Sequence, residues 1–306
     1  MEAVADQDVV TTSVATTDNK SQKQAHLFPA EFEPNTSSSV QANILLRLAI
    51  FTPVRRGGKG LANLPTSHTA DLTKEFRTLQ LTRKEGYERV TITGSFLNFD
   101  TDFKVWCGIV WAISSMRKDT DSVELKFSAF AKYCGFSTRR IDTSLRERIE
   151  ESLTRIRTQT IRFSKSSKQS DTGKGYVGGL IHSAEFDVGR DYIILTPDKK
   201  LWDLYLVDHQ VLLKLKALKL LSRKEAAQCL YVFLSALPEN PHPISFERIR
   251  DRMQLTSSVA EQNRTITAAI KTVIKIGYLD GEIIRKDGQR YLMVFNRDPK
   301  LVPLKM

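Results

Sequence analysis

The stretch SFERIRDRMQLTSSVAEQNRTITAAIKTVIKIGYLDGEIIRKDGQRYLMVF, residues 245–295, decides the fold. Ser245 is a capping residue type ahead of Phe246, Ile249 and Met253, which share one face at helical spacing. The polar turn Thr256-Ser257-Ser258 follows, and Ile266, Ile270, Val273 and Ile274 then mark a longer helix that Gly277 ends. Two strand-like runs, Tyr278–Ile284 and Gln289–Phe295, flank Asp287-Gly288, a dipeptide favoured in tight hairpins because both residues tolerate positive φ. Upstream, Ser222 is expected to cap a helix whose apolar residues are Ala226, Cys229, Leu230, Phe233 and Leu234, stopping before Pro238. Three helices and a ribbon, in that order, make a winged helix-turn-helix.

Working toward the N-terminus, the same order recurs. Thr101 and Asp102 are N-cap types ahead of Phe103, Trp106, Ile109, Val110 and Ile113. A short strand with Val123, Leu125 and Phe127 leads to Ser128, expected to cap a short helix that stops at Cys134-Gly135. After the turn Phe136-Ser137-Thr138, a long helix places Ile141, Leu145, Ile149, Leu153 and Ile156 on one face. Thr160–Ser164 and Tyr176–Phe186 read as the ribbon, with Lys165, Lys168 and Lys174 in the loop between them. Residues 1–40, rich in Ser, Thr, Gln, Ala and acids, show no apolar period. The expectation is an α+β chain: a disordered acidic tail (1–40), an N-terminal winged-helix domain (41–200) and a C-terminal one (201–306).

The 306 residues carry a net charge of +11. The acidic tail makes the remainder more basic still, which favours a nucleic-acid partner over an anionic membrane surface. Cys107, Cys134 and Cys229, odd in number and far apart, argue against a disulfide framework or zinc site and suit a reducing cytoplasm. No apolar run approaches the roughly 18 residues of a membrane span, and no secretory signal pattern opens the chain. Enzymatic readings lack their residues. Gly57-Gly58-Lys59-Gly60 and Gly173-Lys174-Gly175 miss the Ser or Thr that follows lysine in a phosphate loop. His26, His68, His182, His209 and His242 show no metal-ligand spacing, and helix capping accounts for Asp100 and Asp102. Neither catalytic residues, metal nor cofactor is expected.

The DNA-contacting residues are expected on the two long helices and the ribbons. In the second copy these are Ser257, Ser258, Gln262, Asn263, Arg264, Thr265, Lys271 and Lys275. Arginine pairs two-pronged with guanine and Asn or Gln with adenine, whereas lysines farther along reach phosphates. Arg285, Lys286 and Arg290 would add contacts from the wing tip. The first copy offers Thr138, Arg139, Arg140, Thr143, Ser144 and Arg146, although Glu147, Glu150 and Glu151 on the same helix repel phosphate. A solvated helix face is the plainer account of each group. Trp106 reads as core, while Trp111, five residues on, reads as a surface for protein association.

Several strings together resemble the RepA initiators of iteron-controlled plasmids, most closely the plasmid-prophage and F-type branch. They are Asp100-Thr-Asp-Phe-Lys104, Phe130-Ala-Lys-Tyr-Cys-Gly135, Lys200-Leu-Trp-Asp-Leu-Tyr205 and Arg223-Lys-Glu-Ala-Ala-Gln228 through Phe233-Leu-Ser-Ala-Leu-Pro238. Ser245-Phe-Glu-Arg-Ile-Arg250, Glu261-Gln-Asn-Arg264 and Ile276-Gly-Tyr-Leu-Asp280 continue in the same order. The resemblance runs from about Asn43 to Lys300. It implies two winged helices, binding to iteron repeats in double-stranded origin DNA, origin opening with the host initiator and helicase, and repression of the protein's own promoter. It also implies homodimers that host Hsp70-type chaperones convert to monomers. A plain winged-helix repressor is the alternative reading, and a nicking enzyme a remoter one.

Overall fold

The computed structural model describes residues 37–54, 68–77, 89–114, 121–137, 141–164, 175–187, 189–202, 205, 208, 210–298 and 300–301. The elements run β1 (Ser38–Ala42), α1 (Asn43–Arg47), β2 (His68–Asp71), α2 (Thr73–Phe76), β3 (Arg89–Gly94), α3 (Asp102–Ser114), β4 (Val123–Lys126) and α4 (Phe127–Tyr133). Next come α5 (Thr143–Arg157), β5 (Thr160–Ser164), β6 (Gly175–Gly179), β7 (Ile181–Asp187), β8 (Tyr192–Pro197), α6 (Lys199–Trp202), β9 (Gln210–Lys214) and α7 (Leu215–Leu220). The last are α8 (Glu225–Ser235), β10 (Ile244–Ser245), α9 (Phe246–Met253), α10 (Val259–Lys275), β11 (Leu279–Lys286) and β12 (Gln289–Arg297).

One topology appears twice. In each copy a helix precedes a short strand, two further helices and a hairpin, and the short strand pairs with the hairpin's second strand. The sheets are therefore ordered β4-β8-β7 and β10-β12-β11. Helical spacing accounts for the helices. α5 buries Leu145, Ile149, Leu153 and Ile156, and α10 buries Ile266, Ala269, Ile270 and Val273. Each such branched side chain stabilises the fold by about 1.5–3 kcal/mol when fully buried, so the apolar faces hold these helices and leave the polar faces unconstrained. Gly135 and Gly277 stop α4 and α10 with φ of +81° and +78°. Asp287 and Gly288 turn the second hairpin with φ of +52° and +74°.

The first hairpin lies elsewhere than the sequence pattern suggests. The run Tyr176–Phe186 breaks at Leu180: β6 pairs with β5, whereas β7 pairs with β8. β5 and β6 belong to a separate antiparallel sheet ordered β2-β3-β5-β6, inserted between α5 and the true hairpin β7–β8. Lys165, Lys168 and Lys174 lie outside the described residues. Other expectations also shift. Residues 38–40 belong to β1, which pairs with β9 over Ser38↔Lys214 to Ala42↔Gln210, so the expected tail overruns an ordered strand; residues 1–36 lie outside the described ones. Phe127 opens α4 rather than closing a strand, and α5 starts at Thr143, leaving Ile141 ahead of it. Ser128 caps nothing, because its hydroxyl donates to Asp191 while Lys126 occupies the N-cap. Ser222 likewise precedes α8 by too much; Lys224 holds that N-cap without a side-chain bond.

The two copies share one continuous apolar core, from Val40 to Leu301. Trp106 is fully buried and its indole donates to Gln41. Trp202 stacks on Tyr205, while Phe51, Phe99 and Phe103 pack edge to face and tilted. Charged groups fasten the junction. Arg252, 4% exposed, donates to the carbonyls of Leu46 and Phe51 and to the Cys229 thiol. Glu75 on α2 accepts from Arg47 on α1 and, in two-pronged fashion, from Arg248 on α9. Burial alone would raise the Glu75 carboxyl, but the bonds from Arg248 and the charge of Arg47 hold it below the usual carboxylate range.

Candidate nucleic-acid interface

α10 is positioned by its N-terminal turn. The Ser258 hydroxyl accepts from the Glu261 N–H at 3.4 Å, and the buried Gln262 amide donates to the carbonyls of Leu255 and Ser257 at 3.0 and 2.6 Å. Gln262 is thus a clamp for the turn between α9 and α10, with its amide donors engaged inside the fold rather than free as the base-reading expectation requires. Asn263 is half-buried and its carbonyl oxygen accepts from Arg250 on α9 at 2.9 Å. That makes Arg250, which the sequence pattern did not single out, the orienting partner of Asn263.

Beyond the first turn, Arg264, Ala268, Lys271 and Lys275 are exposed and follow one another at intervals of four, three and four residues, which places them on a single face. Thr265 is half-buried at its edge, and Ser257 and Ser258 are exposed at its head. On the hairpin, Arg285 and Arg290 are direct cross-strand partners, with Lys286 opposite Gln289. Like charges directly opposite on a sheet repel, so this pair is a local cost that a nearby polyanion would relieve. None of Arg264, Lys271, Lys275, Arg285, Lys286 and Arg290 pairs with an acid among the described residues.

The first copy differs. Arg146 donates to Asp191 at 3.0 Å and lies 4.6 Å over the Phe127 ring, tying α5 to α4 and to the hairpin turn. Its guanidinium is thus engaged inside the fold, unlike the free surface cation that the DNA-contact expectation called for. Arg155 binds the fully buried Asp102 at 2.8 Å and approaches Glu151. That bond, with the Asn98 N–H, accounts for the Asp102 carboxylate. Arg148 is exposed and lies 5.6 Å over the Phe136 ring. Thr143 and Ser144 are exposed in the first turn, which Asp142 caps. Thr138, Arg139 and Arg140 lie outside the described residues. Trp111 is half-buried and stacked on Tyr133.

Burial raises all three thiols, Cys107 to about 12, so each stays protonated and inert as a nucleophile. Among the described residues no group of three or more His, Cys, Asp or Glu could hold a metal ion. Among them, too, no helix is long and apolar enough to cross a membrane.

The profile of a family described as "Initiator Replication protein, WH1" matches residues 71–235. Replication protein RepA of Escherichia coli is 42% identical over 271 residues, 89% of this chain and 92% of that one. RepFIB replication protein A of Escherichia coli is 40% identical over 268 residues, 88% and 82% of the two chains. A crystal structure of domains 2 and 3 of RctB superposes with a TM-score of 0.51 at 10% identity, covering 83% of this chain and 96% of that one, which shows a shared fold.

Proposed function

The chain belongs to the initiator replication protein family, and from that premise we propose that it is a plasmid replication initiator built from two winged-helix units in tandem, residues 38–200 and 201–306, after an acidic N-terminal segment. The second unit reads double-stranded DNA. α10 enters the major groove with Arg264 toward a base edge and Lys271 and Lys275 toward phosphates, while Arg285, Lys286 and Arg290 reach the backbone beside it. The observation that carries this reading is the set of six cations on α10 and its hairpin with no acid partner among the described residues. Cations held apart from acids keep their full attraction for a polyanion and release counterions on binding.

The sites are iterons, repeated head to tail at the plasmid origin. A direct repeat has no two-fold axis, so one monomer occupies each repeat and a symmetric homodimer cannot place both halves equivalently. The first unit assists, and its α5 surface, with mixed charge, serves self-association together with Trp111 on α3. Host Hsp70-type chaperones release monomers; the bound monomers open the origin with the host initiator and helicase and repress the protein's own promoter. No catalytic step belongs to this chain. Footprinting on the DNA flanking its gene tests the reading. Protection of tandem direct repeats beside an AT-rich segment is expected, with supercoiled DNA neither nicked nor covalently attached. Protection of a single palindrome alone would make the protein a plain repressor.

A further inference from the structure

We infer that Glu261, the one acid on the reading face of α10, determines specificity by accepting from the amino group of a cytosine in the major groove. The inference rests on the reading of α10 proposed above. Glu261 is exposed, and Arg264, Ala268, Lys271 and Lys275 follow it at three, seven, ten and fourteen residues, so it heads the same stripe. It stands in the first turn, where helices of this kind bring side chains to base edges. An acid there works against the rest of the face, because it repels the phosphates that the cations attract. Among the described residues, no hydrogen bond to its carboxylate and no ion pair with it is found, although Arg264 is only three residues away.

The carboxylate needs a donor that stands alone. In the major groove cytosine offers its N4 amino group, whereas adenine sets its N6 amino group beside the N7 acceptor, which repels a carboxylate and suits an amide. A carboxylate therefore selects cytosine, and it rejects sequences without it more strongly than a neutral side chain would. Helix capping is the competing role, since Ser258-Val-Ala-Glu261 fits the capping-box pattern and the Ser258 hydroxyl does accept from the Glu261 N–H. Only one of the two reciprocal bonds of that box is made in the structure.

Glu261→Gln separates the two roles, because glutamine also fits the capping box but reads adenine. The full-length chain and the variants Glu261→Gln and Arg264→Ala would each be used to select from a pool of duplexes with a randomised segment, and each selected duplex titrated. For Glu261→Gln we expect one position to change from cytosine toward adenine, with about a tenfold loss on the wild-type duplex and unchanged thermal stability. An unchanged preference at every position in Glu261→Gln, with a changed preference in Arg264→Ala, would overturn the assignment of Glu261 alone. Unchanged preferences in both variants would overturn the reading of α10 itself and this inference with it.

Discussion

α5 and α10 occupy the same place in one repeated topology, and both bury an apolar face of similar residues, yet their outer faces differ in acids and in how many cations are paired. On α5, Arg146 is held by Asp191 and Arg155 by Asp102 and Glu151, while the exposed cations Arg148 and Arg157 share the helix with the exposed acids Glu147 and Glu151. On α10, Arg264, Lys271 and Lys275 stand exposed with no acid partner among the described residues, and Glu261 is the only exposed acid within the helix. The difference teaches that topology follows from the apolar period, whereas the capacity to bind a polyanion follows from how the cations are partnered. A second contrast accompanies it. The first copy carries the inserted strands β5 and β6 between its long helix and its hairpin, and the second copy passes from α10 directly into β11.

Three variants break or sharpen this comparison. Arg252→Ala acts on the junction between the copies, and the carbonyls of Leu46 and Phe51 would lose their donor in a buried place. A loss of about 3 kcal/mol is expected in urea unfolding of the full chain. A loss below about 1 kcal/mol would mean that the copies stand without this fastening. Glu75→Gln removes the negative centre of the Arg47–Glu75–Arg248 group and is expected to cost about 2 kcal/mol at neutral pH. The folded carboxyl titrates below its ordinary value of 4.5, so its contribution is full above that value and fades as pH falls through the folded pKa. The stability gap between wild type and Glu75→Gln should therefore narrow below about pH 4; a gap that widened on acidification would reverse the sign. Arg146→Ala should cost about 1 kcal/mol through its lost ring and Asp191 contacts and leave DNA affinity within about twofold. A large loss of affinity would return α5 to the reading surface.

The second copy was legible because its signals are local. Asp287-Gly288 forces a tight turn, and Ile266, Ile270 and Val273 keep helical spacing along α10. The first hairpin was not, because alternation marks a strand without saying which sheet it joins. Thr160–Ser164 and Tyr176–Gly179 alternate as a wing would and do pair with each other, but Thr160–Ser164 also pairs with β3, far back in the chain, which draws both strands into another sheet. Residue type at Arg146 and Gln262 gave no sign of their partners inside the fold: Asp191, 45 residues away, and the turn carbonyls of Leu255 and Ser257. The junction was invisible altogether, since Arg252 meets Leu46 only across 206 residues of chain. What sequence did indicate correctly was the spacing of Arg264, Lys271 and Lys275 on one face.

The central claim is that the second copy, through α10, reads the DNA and the first does not do so through α5. Arg264 and Arg148 offer matched probes, each exposed and each the sixth residue of its long helix. The most direct test is a titration of the full-length Arg264→Ala and Arg148→Ala variants against the duplex that wild type protects and a scrambled duplex, at several salt concentrations. Arg264→Ala is predicted to lose about 1–3 kcal/mol on the specific duplex and little on the scrambled one, with Arg148→Ala within about twofold on both. Loss of specific affinity in Arg148→Ala with Arg264→Ala unaffected would contradict the account.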